Sequence, residues 1–218
     1  MVALVAAHNR SDTVGTTVAA VRRLPVHEVV VVDDGSTDRT AAAAEAAGAR
    51  VVRLPANLGK GGAVAAGVEA TPDAEVYLLV DADLGASAAG AGELLGPVLG
   101  GDADMVIAVL PGAGRRGGFG LVRGLAGAGI ARATGWRPRA PLSGQRAVRA
   151  SLLRRLELAP RFGLETALTI DALRAGARVA ELHVDLEHRH TGRRLSGFVH
   201  RGRQGRDIAL ALWPRLRP

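Results

Sequence analysis

In the stretch EVYLLVDADLGAS an apolar run, Val76 to Val80, stops at two carboxylates one residue apart, Asp81 and Asp83. Alternate residues of an extended strand face the same way, so both carboxylates are expected to project together where the run leaves the core. Like charges that close repel unless a divalent cation, a basic side chain or, in an exposed turn, water neutralises them. The chain has no cysteine, which leaves carboxylates and histidines as the ligands for a metal.

Other residues carry chemistry by type and position. Asp33 and Asp34 follow four valines directly, and Gly35 permits the tight turn that exposes them. They can accept hydrogen bonds from a base imide or a ribose hydroxyl, or act as caps of a strand-to-helix turn. In NLGKGG, Lys60 and Gly61 have the cation and the glycine of a phosphate cradle without the spacing of a P-loop. Lys60 is the single lysine among 28 basic residues, and its bland reading is a solvated side chain on a loop. GAGRRG, residues 112–117, matches the dinucleotide pattern GxGxxG, but it follows the fifth apolar run and has Arg132 where an acid is expected. It reads as a basic loop. Along VAELHVDLEHRH, Leu182, Val184 and Leu186 share one strand face that period two extends to His188 and His190. His188 is then either a metal ligand or a satisfied polar group. Glu165 opens a helix, as a general base or hydroxyl-orienting group, or as a first-turn acid favoured by the helix dipole.

These residues need a frame. Residues 2–6 read as a strand, 12–22 as a helix, 27–34 as a strand and 40–48 as an alanine-rich helix capped by Ser36-Thr37-Asp38. A third strand at 49–54, a helix at 61–69 and a fourth strand at 75–83 complete a βαβαβαβ order, which implies a parallel sheet with right-handed crossovers. Ligands of such sheets sit at the carboxyl ends of the strands, where the sequence places Ala7-His8-Asn9, Asp33-Asp34-Gly35, the Lys60 segment and Asp81-Ala82-Asp83. Further on, residues 89–99 read as a helix, 104–110 as a strand and 119–133 as a helix. Residues 141–156 look like a loop and helix, 161–176 a helix and 178–190 a strand.

At 218 residues and 48% hydrophobic the chain fits one domain, over residues 1–190, with a basic tail over 191–218 ending in a short helix. No apolar run reaches the ~18–20 residues needed to cross a bilayer. A cytoplasmic protein is expected, with peripheral contact at the inner face of a membrane as the variant. The net charge of +7 favours anionic partners, while aromatics at 3% are too few for base stacking, so nucleic acid is not an expected partner.

Taken in series, AAHNR, VVVVDDGSTDRT, NLGKGGAVAAG, LLVDADLGAS, LSGQRAV and FGLE resemble glycosyltransferase family 2, the GT-A nucleotide-diphosphosugar transferases. The resemblance runs over residues 2–190 and is nearest to soluble polyprenyl-phosphate (dolichyl-phosphate) mannosyl and glucosyl synthases. FGLETALTIDALRAGARV and the histidine segment are also similar to glucosyl-3-phosphoglycerate synthases. It implies a single-domain α/β GT-A fold, Rossmann-like, with a mostly parallel central sheet flanked by helices. It implies that Ala7, His8 and Asn9 line a nucleotide pocket, with Asp33, Asp34 and Gly35 at the base and ribose. Lys60 and Gly61 would lie by the base and diphosphate. Asp81, Ala82 and Asp83 match the DxD motif, which holds Mg2+ or Mn2+ against the diphosphate, with His188 completing the metal shell and Asp83 and Glu165 as catalytic residues. Ser143, Gly144 and Gln145 would sit near the donor sugar or acceptor.

The function so implied is metal-dependent transfer of a hexose from a UDP- or GDP-sugar to a phosphate-bearing acceptor, polyprenyl phosphate ahead of a small one such as 3-phosphoglycerate. Arg116 and Arg189 would contact the acceptor phosphate, and the tail an anionic membrane surface; a homodimer is compatible with this reading. The alternatives are a non-catalytic nucleotide-sugar-binding protein and a nucleotidyltransferase. The latter's glycine-rich signature belongs after the first strand, where AAHNRSDT stands.

Overall fold

A computed structural model describes residues 1–111, 119–186 and 196–216. The first half follows the expected order: β1 (Val2–Ala7), α1 (Val14–Val21), β2 (Glu28–Asp33), α2 (Thr40–Ala46), β3 (Arg50–Arg53), α3 (Gly59–Glu69) and β4 (Val76–Asp81). Valine-rich runs extend because a branched side chain packs well on a pleated surface, and the alanine-rich segments coil because alanine loses least on entering a helix. After β4 come α4 (Leu95–Leu99), β5 (Met105–Val109), α5 (Phe119–Thr134), β6 (Arg146–Arg149), α6 (Ala150–Leu153), α7 (Leu164–Arg174), β7 (Val179–His183) and α8 (Ser196–Arg215).

Among the described residues the strands form one seven-stranded sheet in the order β3-β2-β1-β4-β6-β5-β7. All neighbours run parallel except β6, which is antiparallel to both β4 and β5. The chain steps from β1 outward through β2 to β3, then returns to place β4 on the other side of β1. This reversal opens a crevice at the carboxyl ends of β1 and β4. Pairing of Ala7 with Asp33 and of Ala6 with Asp81 sets the three strand ends level, so their polar residues emerge in one row. This is the single-domain, mostly parallel α/β architecture of the GT-A fold.

Both faces of the sheet are covered, which is why β1 and β2 carry no polar alternation. Ala3, Val5 and Ala7 pack on the face that holds α1, Leu94 and Leu95. Val2 and Leu4 pack on the opposite face with Val64, Leu164 and Leu168. Each such buried valine or leucine side chain contributes about 1.5–3 kcal/mol of transfer free energy.

Four elements differ from the sequence-based expectation. Residues 141–156 contain β6, a four-residue strand, where a loop and helix were expected. RAVR is too short for a periodic signal, and pairing on both sides decides its conformation. The helix expected over 89–99 is a 3-10 helix, Gly85–Leu94, leading into α4. Glycine is a poor α-helix former, and a Cβ at Gly90 would lie 2.8 Å from the Asp185 carbonyl oxygen. Among the described residues the strand expected over 178–190 pairs only as far as His183, although Val184 and Leu186 remain buried on the same face. At the C-terminus, α8 runs 20 residues and buries Ile208 and Leu212 against Ala126 and Ile130 of α5 and Ile170 of α7.

Candidate active site

A cleft of about 1710 Å³ opens at the carboxyl ends of β1 and β4, with Ala7, His8, Asp34, Lys60, Asp81 and Glu165 on its walls. Its far side is walled by α8 through Arg206, Ala211 and Arg215. The volume exceeds the usual small-molecule pocket and has room for two bound reactants.

Its chemistry concentrates on one ammonium group. Lys60, in the first turn of α3, forms ion pairs with Asp81 at the end of β4 and with Glu165 in the first turn of α7, the latter at 2.9 Å. Burial alone would push the Lys60 pKa down. The Asp81 and Glu165 carboxylates outweigh burial and raise it above the ordinary lysine value. The second Asp81 oxygen accepts from the Gln145 amide at 2.6 Å, and the Ser143 hydroxyl donates to the Gln145 carbonyl at 3.3 Å. Gly144 between them has no space for a side chain: a Cβ there would run into the Lys60 ammonium and lie 2.7 Å from Asp81 Oδ2. Gln145 is fully buried and reaches the site through the Asp81 carboxylate. The sequence had suggested a place for it beside the sugar or acceptor.

Beneath this cluster lies Arg146, in β6 and 1% exposed, which the sequence reading passed over. Its Nε donates to the Ser143 carbonyl at 2.9 Å and its Nη1 to the Thr169 hydroxyl at 3.0 Å. Thr169 in turn donates to the Glu165 carbonyl at 2.8 Å, so one guanidinium braces both the Gln145 loop and the Glu165 helix. Burial pushes its pKa down to about 10, with Glu165, Glu181 and Asp81 pulling the other way, so it is a cation at neutral pH. The signal available in sequence was an arginine two residues after Gly144, opening the four-residue stretch RAVR, too weak to separate from the arginine-rich background.

The remaining expected residues divide. Asp33 and Asp34 go to different places. Asp34 accepts from the amides of Leu58 and Gly59 at 2.7 and 2.8 Å, capping the amino end of α3 beside the cleft. Asp33 accepts from the Ser36 amide at 3.0 Å and borders a separate hollow of about 330 Å³ with Gly35 and Arg53. Gly35 has φ +67°, and a Cβ there would lie 2.7 Å from the Ala56 backbone, so the expected glycine turn is present. His8 donates from Nδ1 to the Asp34 carbonyl at 2.8 Å. Asn9, at φ 52°, ties the loop after β1 to the loop after β2 through Ser36 and Thr37. Gly61 is buried in α3, where its missing side chain lets the helix meet the Ala159 carbonyl, so it serves packing; the glycine segment expected to form a phosphate cradle forms the start of α3.

Asp83 lies past the last paired residue of β4 on the cleft wall, with the Arg10 guanidinium 3.9 Å away. Ala82 between the two carboxylates is buried. Asp81 and Asp83 present two hard oxygen donors to the cleft. Among the described residues no group of three histidines or carboxylates is placed to hold a metal ion. Such a pair suits Mg2+ or Mn2+, which take one or two carboxylates and complete their octahedron with phosphate oxygens and water. His188, Arg116 and Arg189, expected at the metal and the acceptor phosphate, lie outside the described residues. Among the described residues no helix is long and apolar enough to cross a membrane.

Comparison with known proteins gives this geometry its context. The family model described as glycosyl transferase family 2 matches residues 2–148. Solved structures of glucosyl-3-phosphoglycerate synthase from Mycobacterium tuberculosis are similar throughout. The complex with Mg2+ and uridine diphosphate has a TM-score of 0.84 at 28% identity, over 99% of this chain and 78% of that one. The complex with Mn2+, uridine diphosphate and phosphoglyceric acid has a TM-score of 0.82 at 28% identity, with the same coverage. Protein RfbJ of Shigella flexneri is 38% identical over 84 residues, which are 38% of this chain and 64% of that protein. That match therefore spans less than two thirds of the Shigella protein.

Proposed function

Since the chain belongs to glycosyl transferase family 2 and is a glycosyltransferase, we propose that it moves a hexose from a UDP-sugar to a small phosphorylated acceptor of the phosphoglycerate type. The observation that carries this reading is the convergence of Asp81, Lys60 and Glu165, from three separate segments, on one cleft, with buried Gln145 holding the Asp81 carboxylate from behind. In the transfer, the bond from the sugar's anomeric carbon to the diphosphate oxygen breaks, and a bond from that carbon to an acceptor hydroxyl oxygen forms. The nucleoside diphosphate departs with the bonding pair, and the hydroxyl proton passes to the diphosphate oxygen or to solvent.

Asp81 and Asp83 would hold Mg2+ or Mn2+ against the diphosphate, with His188 as the further protein ligand. Such an ion neutralises the charge that grows on the leaving group. Lys60 brings a cation to the same oxygens and, through its ion pair, keeps the Glu165 carboxylate facing the sugar. Glu165 then acts as acceptor for sugar or substrate hydroxyls, orienting them for attack. Asp34 and His8 form the wall at the nucleoside. Arg116 and Arg189 remain proposed contacts of the acceptor phosphate.

Polyprenyl phosphate, favoured on sequence, gives way to the small acceptor because the solved relatives similar over nearly the whole chain are phosphoglycerate glucosyltransferases by name. The test is transfer of labelled glucose from UDP-glucose, with Mg2+ or Mn2+, to 3-phosphoglycerate and to a polyprenyl phosphate in parallel. The expected result is a labelled water-soluble phosphorylated product and no label in the lipid fraction. Label in the lipid alone, or turnover with neither acceptor, would overturn the proposal.

A further inference from the structure

Thr17 is fully buried in α1, and its hydroxyl meets three backbone groups. It bonds to the Thr13 carbonyl at 3.1 Å, as helical threonines commonly do four residues back. It also bonds to the Ala82 carbonyl at 3.0 Å and accepts from the Gly85 amide at 2.9 Å, groups 65 and 68 positions away in sequence. The hydroxyl has one proton, shared between the Thr13 and Ala82 carbonyls, and lone pairs that receive the Gly85 amide, so this single oxygen ties α1 to both ends of the segment from Ala82 to Gly85. Asp83 lies inside that loop.

Asp81 is oriented by strand pairing, being opposite Ala6 in the last register pair of β4 with β1. Asp83 lies beyond that ladder, so its backbone needs another support. The clasp from α1 supplies it, reinforced by burial of Ala82 and Leu84 on either side. Gly85 makes the closure feasible: its φ of +57° is a left-handed conformation.

We propose that Thr17 is a positioning residue for the metal–diphosphate site, setting the Asp83 carboxylate relative to Asp81 by holding Ala82 and Gly85. This rests on the proposed metal-dependent reading. Loss of a group that orients a metal ligand ordinarily lowers metal affinity about 10–100-fold. Valine keeps the volume and branching of threonine but can neither donate nor accept.

The test is direct Mn2+ binding to the protein saturated with UDP, read by electron paramagnetic resonance without turnover. Thr17→Val is expected to weaken Mn2+ binding about tenfold or more, while Thr17→Ser holds it within about twofold. Thr71→Val is the matched control. Thr71 is also buried and bonds the Gly67 carbonyl and the Tyr77 hydroxyl, but it precedes β4 at the opposite end of the sheet. It should lower thermal stability and leave Mn2+ affinity unchanged. Thr17→Ala carries the same expectation should the valine variant not fold. Wild-type affinity in Thr17→Val, or equal weakening in Thr71→Val, overturns the inference. Absence of UDP-dependent Mn2+ binding in the unmutated protein would instead remove the metal reading itself, and this inference with it.

Discussion

Gly144 shows how tightly single residues constrain the site. A methyl group there would displace the Lys60 ammonium and press on both Asp81 oxygens. Shifts of about 1 Å in a catalytic cluster can cost about 100-fold in rate, so Gly144→Ala is expected to lower kcat/KM by that order. Lys60 invites a second test. Its raised pKa means that the stability it contributes is complete below the ordinary lysine value of 10.5 and is lost as pH climbs from there through the folded-state value. The difference in melting temperature between the protein and Lys60→Met should therefore stay constant from about pH 8 to 9.5, above the carboxylate range. A difference that closes within that window would show that the ammonium loses its proton there. Neither result could be foreseen from residue type. An isolated lysine beside three glycines suggested a phosphate cradle, and only the folded chain shows that two carboxylates hold its ammonium.

Among the elements, α8 departs most from its local signal. DIALALW alone suggested a helix near the C-terminus, yet the helix spans Ser196–Arg215 and forms one wall of the cleft. Its hold on the body is apolar, through Ile208 and Leu212, and ionic, through Arg215 with Asp171 of α7. Truncating such a core leucine removes transfer energy and leaves a cavity. Leu212→Ala should therefore cost about 2–5 kcal/mol in urea denaturation; a loss below about 0.5 kcal/mol, the range of surface changes, would mean that α8 is not packed as described. The strands β1, β2 and β4 were readable because both of their faces are buried, which leaves unbroken valine and leucine runs in the sequence. β6 was not, since four residues ending in arginines carry no period and its conformation depends on neighbours from residues 76–79 and 105–107.

At the scale of the whole molecule, the sheet order turns separate motifs into a site. Reversal of strand order at β1 puts the ends of β1, β2 and β4 side by side, and antiparallel β6 brings Gln145 to the same edge from the opposite chain direction. The sequence alone determined the alternation of strands and helices, the polar residues at the strand ends, the two carboxylates at the end of β4 and the family they belong to. Those features are local, set by burial of runs and by turn chemistry within a few residues. The tertiary structure decided their partners: that Asp81 meets Lys60 and Gln145, that Asp33 and Asp34 part company, and that Thr17 and Arg146 brace the site from inside. Hydrogen bonds and ion pairs depend on distance between segments far apart in the chain, and only the packed sheet establishes that distance.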